Sequence, residues 1–325
     1  MDKDIDLAIN AIHKEFGKSS LMAMDEFDGE YETFSTGSLL IDEALGGGIA
    51  RGRIVEVYGH ESSGKTTLCL STIAEAQKEG HRVFFIDAEH AFDPSWAEIN
   101  GVNLDPSLFR MAQPSSGEEA LNIVQHLVTA GAALVVVDSV AAMVPKRELE
   151  GNIGDAHVGL QARLMSQAMR LLVGACSETN STIMFVNQTR DKVGVTFGSP
   201  TTTPGGKALK FAASQRLDIA RIKQVKEGKD TVIGQHVQVR VVKNKIAPPF
   251  RVAKTDLLFD CGLSQESEII DLAVIAGIIK QNKAWFSYND QNIGQGKEKT
   301  RQYLIDNPEF KEEILAKLRG KDEAK

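Results

Sequence analysis

The sequence predicts an α/β protein whose central sheet is mostly parallel and ends in antiparallel strands. A small N-terminal helical unit and a small α+β C-terminal domain are expected to flank this core. Three observations predict the class. Short runs rich in Val and Ile alternate with helical stretches from about residue 53, and a glycine-rich turn joins the first run to a helix. From residue 215, apolar runs follow one another with turns but no helices between them.

The alternating part of the chain predicts strands covered by helices on both faces. Such strands read as continuous apolar runs, and their alternation with helices is typical of a parallel sheet. The predicted strands are 54–58, 83–86, 134–137 and 183–186, with helices at 68–78 and 94–99. Three later runs predict antiparallel strands at the end of the sheet, namely 216–222, 236–242 and 252–259.

The two ends of the chain differ from this core. Ile5, Ile9, Ile12 and Phe16 are spaced by four, three and four residues, which places them on one face of a helix. A polar, acidic stretch follows, so this helix is either a separate unit on a linker or a helix that folds back on its own body. We expect three parts: an N-terminal helix with its linker (1–33), the α/β core (34–264) and a C-terminal domain (265–325).

Composition excludes several classes of protein. The chain has 325 residues, of which 42% are apolar and 25% charged, as in folded globular domains. Its longest apolar stretch, 132–144, is interrupted by Asp138 and is shorter than the roughly 20 residues that cross a bilayer. The N-terminus lacks the apolar segment of a secretory signal, and the three cysteines form no CxxC pair. We therefore expect a cytoplasmic protein with no membrane partner.

Charge is distributed unevenly along the chain. The net charge is −7, yet residues 186–256 carry fourteen Lys or Arg against five Asp or Glu. A basic zone on an acidic body is consistent with a nucleic-acid surface. The alternative is a set of solvated, lysine-rich strands.

A phosphate-binding loop is predicted directly after the first strand. The octapeptide fits GxxxxGK[ST] and consists of Gly59, His60, Glu61, Ser62, Ser63, Gly64, Lys65 and Thr66. In such a loop, backbone N–H groups face the phosphates of a nucleotide, the lysine reaches the β and γ oxygens, and the hydroxyl ligates Mg²⁺. Asp138 ends a neighbouring strand and is the expected second Mg²⁺ ligand.

Two further strand ends carry candidate catalytic groups. Asp87 and Glu89 end the 83–86 strand two residues apart, and Glu89 is the better candidate for a base that activates water. The alternative is that this pair only caps the next helix. Gln188 ends the 183–186 strand and opens a long irregular stretch, where a polar side chain could sense the γ-phosphate.

Two polar, glycine-bearing loops are expected to be functional, one at about 150–159 and one at about 188–206. The helix after the first loop carries Arg163, Ser166 and Arg170 on one face. Leu164, Ala168 and Leu171 are expected on the opposite face.

Together, the motifs resemble the RecA family of DNA strand-exchange ATPases. The resemblance covers nearly the whole chain and is carried by residues 35–38, 52–56, 61–67, 86–91, 137–142, 166–170 and 243–246. It implies a RecA-type P-loop ATPase core. It also implies a protein that forms a head-to-tail filament with itself on single-stranded DNA, captures duplex DNA and exchanges strands in homologous recombination and repair.

The resemblance also implies residue roles. Thr67 completes the nucleotide loop, Asp93 and Trp96 would hold adenine, Glu89 would activate water and Asp138 would serve Mg²⁺. Lys243 and Lys245 match a pair that reaches the ATP site of the neighbouring subunit. The residues implied to lie near DNA are Arg163, Ser166, Arg170, Arg190, Val193, Gly205, Gly206 and Lys207.

Two other functions remain open at this stage. The filament could act mainly as a DNA-damage signalling scaffold that promotes self-cleavage of a repressor, with loader proteins as further partners. The chain could instead be a ring-forming DNA motor ATPase.

Overall fold

The computed structural model describes residues 2–21, 23, 31–152, 155, 157, 159–191, 201–228 and 230–322. The chain divides into two compact units, Met1–Glu32 and Thr33–Lys325. In the first unit, the predicted helix is present as α1 (Asp2–Phe16), and a 3₁₀ turn follows at Lys18–Ser20. Ile5 and Phe16 of its apolar stripe are more than half exposed.

The second unit contains all the other described elements. Its strands are β1 (Thr33–Phe34), β2 (Ile49–Ala50), β3 (Ile54–Gly59), β4 (Val83–Asp87), β5 (Phe109–Ala112), β6 (Leu134–Asp138), β7 (Thr182–Gln188), β8 (Arg190–Asp191), β9 (Thr201–Thr202), β10 (Gln215–Glu227), β11 (Thr231–Asn244), β12 (Val252–Leu258), β13 (Gly262–Leu263), β14 (Lys280–Asn282), β15 (Trp285–Tyr288) and β16 (Gln291–Gln295). Its helices are α2 (Leu39–Leu45), α3 (Lys65–Lys78), α4 (Pro94–Ile99), α5 (Gly117–Thr129), α6 (Lys146–Leu149), α7 (Leu160–Thr179), α8 (Ala208–Ala212), α9 (Gln265–Ile275), α10 (Lys297–Asp306) and α11 (Pro308–Asp322).

The central sheet confirms the predicted fold class. Nine described strands pair in the order β13-β12-β11-β10-β3-β7-β6-β4-β5. The pairs from β10 to β5 are parallel, whereas β10-β11, β11-β12 and β12-β13 are antiparallel. The sheet therefore ends in antiparallel strands where the helical crossovers stop.

Helices cover the parallel strands on both faces because alternate side chains of each strand point to opposite sides. Val135 and Val137 of β6 pack with Leu121 of α5 and Leu172 of α7. Val136, between them, belongs to the other core cluster, which contains residues of α2 and α3.

The C-terminal part of the second unit has its own apolar cluster. β14, β15 and β16 form an antiparallel sheet, and α9, α10 and α11 pack with it. Ile269, Ile270, Leu304 and Ile314 are at most 1% exposed there. Within the described ranges, no helix is long and apolar enough to cross a membrane.

The parallel strands bring the predicted site residues to one edge. In the register of β3 and β7, Gly59 pairs with Gln188, and in that of β4 and β6, Asp87 pairs with Asp138. All four residues end their strands, so the glycine-rich loop, two carboxylates and Gln188 share the carboxyl edge of the sheet. Ligands of open α/β sheets bind at this edge.

Candidate active site and basic surface

The glycine-rich loop joins β3 to α3. Gly64, directly before α3, has φ +98°, a left-handed conformation that glycine adopts at no steric cost. A Cβ there would lie 2.6 Å from Cδ1 of Leu257, so a side chain would also clash. His60, Glu61 and Ser62 are exposed at the tip of the loop. The loop therefore presents its backbone at the N-terminus of a helix, where anions bind.

Polar groups inside the loop fit a polyphosphate. The Ser63 hydroxyl oxygen is buried and has no hydrogen-bond partner. Lys65 is 9% exposed, its Nζ donates to the carbonyl of His60 at 2.7 Å, and burial lowers its pKa. Thr67 is buried in the first turn of α3. Phosphate oxygens would offer acceptors to the orphaned hydroxyl and a counter-charge to the buried ammonium group.

Thr66 and Asp138 form a candidate Mg²⁺ site. The Thr66 hydroxyl donates to Oδ2 of Asp138 at 2.6 Å. Burial, together with the charge of Glu89, raises the pKa of Asp138 to about 6, although the Thr66 hydrogen bond opposes this rise. In the described chain no group of three or more His, Cys, Asp or Glu could hold a metal. One carboxylate and one hydroxyl fit Mg²⁺, which usually takes its remaining ligands from phosphate and water.

The two carboxylates that end β4 have different environments. Asp87 is 2% exposed and accepts hydrogen bonds from the backbone N–H groups of Ala91 and Phe92 at 3.2 and 3.1 Å. Gln113 Nε2 also donates to it at 2.9 Å. These contacts hold the turn that leads to α4. Asp87 therefore has a structural role in this turn, but the N-cap of α4 is Asp93, so the alternative that the pair caps the next helix is wrong.

Glu89 is exposed and faces the site. Its Oε1 accepts hydrogen bonds from the Ser139 hydroxyl and from Nε2 of Gln188, the latter at 3.1 Å. Two strands thus orient one carboxylate, because Ser139 follows β6 and Gln188 ends β7. The role of Ser139 was not predicted, although its position directly after Asp138 is a signal that could have indicated it.

Two cavities adjoin the loop. One has a volume of about 240 Å³ and contains Ser63, Lys65 and Trp96 in its lining. The other, about 100 Å³, is lined by groups that include Glu89, Asp138 and Trp96. Half-buried Trp96 therefore lines both cavities, between the loop and the carboxylates.

Asp93 and Gln235 support this region. Oδ1 of Asp93 caps α4 by accepting from the N–H groups of Ser95 and Trp96 at 2.9 and 3.2 Å. Gln235 Nε2 donates to the carbonyl of Ser62 at 3.2 Å and lines the larger cavity. No sequence signal pointed to Gln235, because its approach depends on the pairing of β11 with its neighbours.

The residues implied to lie near DNA are mostly at the surface. Arg163, Ser166 and Arg170 are exposed on α7, opposite its buried residues. The expectation that Leu171 lies on the buried face is wrong, since it is 51% exposed. The buried stripe of α7 is centred on Met165, Met169 and Leu172, which places Leu171 on its flank.

The second predicted loop is described only at its two ends. Arg190 is exposed in β8 and pairs with Thr202 of β9. Gly206 and Lys207 are exposed directly before α8, whereas Gly205 is buried. Val193 lies outside the described residues.

Lys243, near the end of β11, contacts its own chain at α8. Its Nζ donates to the carbonyls of Lys210 and Phe211, each at 2.9 Å. Burial, together with the charge of Lys245, lowers the pKa of Lys243. Lys245 itself is exposed.

Known proteins resemble this chain over nearly its whole length. The family model described as the RecA N-terminal domain matches residues 3–264, and that of the RecA C-terminal domain matches residues 267–322. Protein RecA of Staphylococcus aureus strains JH9 and Newman is 52% identical over 322 residues, covering 98% of this chain and 92% of the relative. A crystal structure of the RadB recombinase aligns with a TM-score of 0.54 at 24% identity, covering 71% of this chain and 98% of RadB.

Proposed function

Because the chain belongs to the RecA family, we propose that it hydrolyses ATP at the 59–66 loop and couples this hydrolysis to DNA strand exchange. It is a recombination and repair protein that binds ATP and DNA and associates with itself. The observation that carries the catalytic proposal is the Thr66–Asp138 pair at 2.6 Å, beside an exposed Glu89 that is oriented from two strands.

ATP would lie along the loop and α3. Lys65, Ser63 and the backbone N–H groups of the loop would bind its phosphates, and Asp93 and Trp96 would hold adenine. Thr66 and Asp138 would hold Mg²⁺, which would neutralise charge on the phosphates. Glu89 would accept a proton from the attacking water, as a general base within hydrogen-bond reach does.

Single-stranded DNA would lie against the α7 face and the 188–206 loop, where phosphates would meet arginine and lysine side chains. Duplex DNA would be captured by the same filament for strand exchange. A repressor of the damage response and loader proteins are further proposed partners, and cytoplasm is the proposed location. The signalling scaffold would use the same filament, so it remains a second candidate function.

The proposed filament is a head-to-tail polymer. The exposed apolar stripe of α1 is available for a neighbouring subunit, which agrees with its proposed role in polymerisation. In such a filament, Lys243 and Lys245 of one subunit would reach the ATP site of the next. A cation supplied across the interface would stabilise charge on the transferring phosphoryl group.

The test compares Lys65→Met with Lys78→Met, which makes the same substitution at the exposed end of the same helix. ATP hydrolysis is measured with and without single-stranded DNA, and assemblies are imaged by electron microscopy. We expect wild type and Lys78→Met to hydrolyse ATP faster with DNA and to form helical filaments, and Lys65→Met to do neither. Closed rings would favour the motor ATPase, and hydrolysis unaffected by Lys65→Met would contradict the loop assignment.

A further inference from the structure

Side-chain amides from two other elements hold one peptide group, the one that joins Pro204 to Gly205. Nδ2 of Asn187 donates to the carbonyl of Pro204 at 3.1 Å. The N–H of Gly205 donates to Oε1 of Gln161 at 3.2 Å. We call Asn187, Gln161 and this peptide the 204–205 clamp.

Gln161 uses both ends of its amide. Its Nε2 donates to the carbonyls of Val140 and Met143 at 2.8 and 3.1 Å, in the turn that follows Asp138. If the Gln161 amide were flipped, its NH₂ group would face the N–H of Gly205, and its oxygen would face the two carbonyl oxygens. Neither pair could form a hydrogen bond. The three partners therefore fix one orientation of the side chain. Gln161, in the first turn of α7, ties the end of the second loop to the segment after the candidate Mg²⁺ strand.

Asn187 is held as firmly on the other side of the peptide. It is fully buried, its Oδ1 accepts from the N–H of Gln188 at 3.0 Å, and its Nδ2 also donates to Oε1 of Glu56 at 3.1 Å. Glu56 is fully buried too and pairs with Nε of Arg216 at 2.6 Å. Asn187, which directly precedes Gln188, is therefore held between β3 and the 204–205 peptide.

The 204–205 peptide also packs closely against the turn that follows β6. Gly205 has φ +83°, and a Cβ there would lie 2.9 Å from Cγ1 of Val140. Directly beyond this buried glycine, Gly206 and Lys207 emerge at the surface. Because the peptide is fixed by both hydrogen bonds and packing, the direction in which these exposed residues emerge is fixed as well.

We propose that Gln161 and Asn187 are positioning residues for DNA binding. They hold the 204–205 peptide so that Gly206 and Lys207 stay in register with the arginine face of α7. Through Asn187, the same peptide is tied to Gln188. The inference rests on the proposed function, because it takes residues 206 and 207 to contact DNA.

The test is Gln161→Met, which keeps the length of the side chain and removes its three hydrogen bonds. Gln167→Met is the matched control, because Gln167 is exposed on the same helix. We expect hydrogen exchange of the segment around Gly205 to accelerate only in Gln161→Met. The DNA concentration at half-maximal ATP turnover should rise about fivefold to tenfold, the effect of losing the one hydrogen bond from Gln161 to the 204–205 peptide. Turnover at saturating DNA and the KM for ATP should stay within twofold of wild type, whereas Tm should fall by several °C because three hydrogen bonds are lost.

Three results would overturn the inference. The first is unchanged exchange at Gly205, which would mean that Gln161 does not hold the peptide. The second is faster exchange with unchanged DNA dependence, which would mean that the held peptide does not position DNA contacts. The third is a fall in turnover and in ATP affinity as large as the fall in DNA affinity, which is the signature of a structural role alone. Wild type without DNA-stimulated turnover would instead contradict the proposed function, and direct DNA binding with a non-hydrolysable ATP analogue would still test the clamp.

Discussion

Nε2 of Gln188 donates a hydrogen bond to Oε1 of Glu89 at 3.1 Å, although the two residues are 99 positions apart in the chain. Glu89 follows β4 and Gln188 ends β7, with β6 between them in the sheet. Gln188 also stands at the start of the proposed DNA loop. A displacement of that loop would therefore change the hydrogen bonding of the proposed base, and DNA bound at the loop would in this way influence the proposed hydrolysis site.

Glu89→Gln is expected to keep ATP binding and to slow hydrolysis by about 100-fold or more, the usual contribution of a general base. Glutamine keeps an oxygen acceptor for Ser139 and Gln188, so the site should retain its shape. Turnover measured beside ATP affinity would separate the two effects. Filaments should also persist longer with ATP, which light scattering can follow.

Asp87→Asn is the comparison variant for this prediction, because Asp87 was the other possible base. We expect it to lower Tm, since the contacts with Ala91, Phe92 and Gln113 are weakened. Hydrolysis that is lost in Asp87→Asn at an unchanged Tm, and retained in Glu89→Gln, would reverse the assignment.

The sequence predicted two kinds of feature at this site: a loop made of contiguous residues, and side chains that stand at the ends of parallel strands. The 59–66 loop is contiguous, and Asp138 and Glu89 follow apolar runs whose carboxyl ends must share one edge of a parallel sheet. The predicted strands likewise matched because their apolar runs are continuous. These features depend on neighbouring residues or on the direction of strands, both of which a sequence records.

The remaining contacts depend on the order of strands and on the packing of loops. Gln235 reaches Ser62 across 173 positions, and Gln161 meets Gly205 across 44. Neither glutamine belongs to a motif, and an amide side chain is compatible with any surface position. The prediction for Leu171 failed for a related reason. Helical spacing shows which residues lie on opposite faces, but it does not show which edge of the apolar stripe remains exposed to solvent.

DNA affinity should depend less on salt when both α7 arginines are removed. Each phosphate contact with single-stranded DNA contributes about 0.7 to the slope of log K against log salt. Arg163→Ala/Arg170→Ala is therefore expected to reduce this slope by about 1.4. Lys78→Ala/Arg82→Ala removes the same charge near the start of β4, at the opposite edge of the sheet, and should leave it unchanged. Equal slopes for the two double variants would mean that the α7 face does not meet DNA.

Glu268 gives a prediction about stability and pH. It is 1% exposed on α9, where burial raises its pKa despite hydrogen bonds from Ser38 and from the N–H of Leu40. A raised pKa in the folded state means that the stability linked to this group is present below about pH 4.5 and lost as pH rises through the folded pKa. Glutamine keeps an acceptor for Ser38 and carries no charge to bury.

We therefore expect the Tm of Glu268→Gln, relative to wild type, to increase between pH 4.5 and pH 7.5, as the charged carboxylate of the wild type becomes costly to bury. Scanning calorimetry at several pH values would measure it. Glu312→Gln, at an exposed position of α11, controls for the change of charge alone. A Tm difference for Glu268→Gln that is constant or falls with pH would contradict the prediction.

Lys243 and Lys245 are expected to act in trans. In the single chain, Lys243 donates to the C-terminal carbonyls of α8, and burial lowers its pKa. A head-to-tail interface is heterologous, so the late strands of one subunit can lie against the P-loop of the next. An incoming phosphate would compete with the α8 carbonyls for the Lys243 ammonium group and would bind it more strongly, because that hydrogen bond joins two charges.

Two inactive variants can test this arrangement. Glu89→Gln lacks the base but still supplies both lysines to the neighbouring subunit. Lys243→Ala/Lys245→Ala keeps the base but supplies neither lysine. Mixed in equal amounts on single-stranded DNA, random order would pair an intact base with intact lysines at about a quarter of the interfaces. Turnover should then reappear in the mixture. If the two variants co-assemble by light scattering and turnover only equals the average of the separate proteins, the lysines act within their own subunit or have no role in hydrolysis.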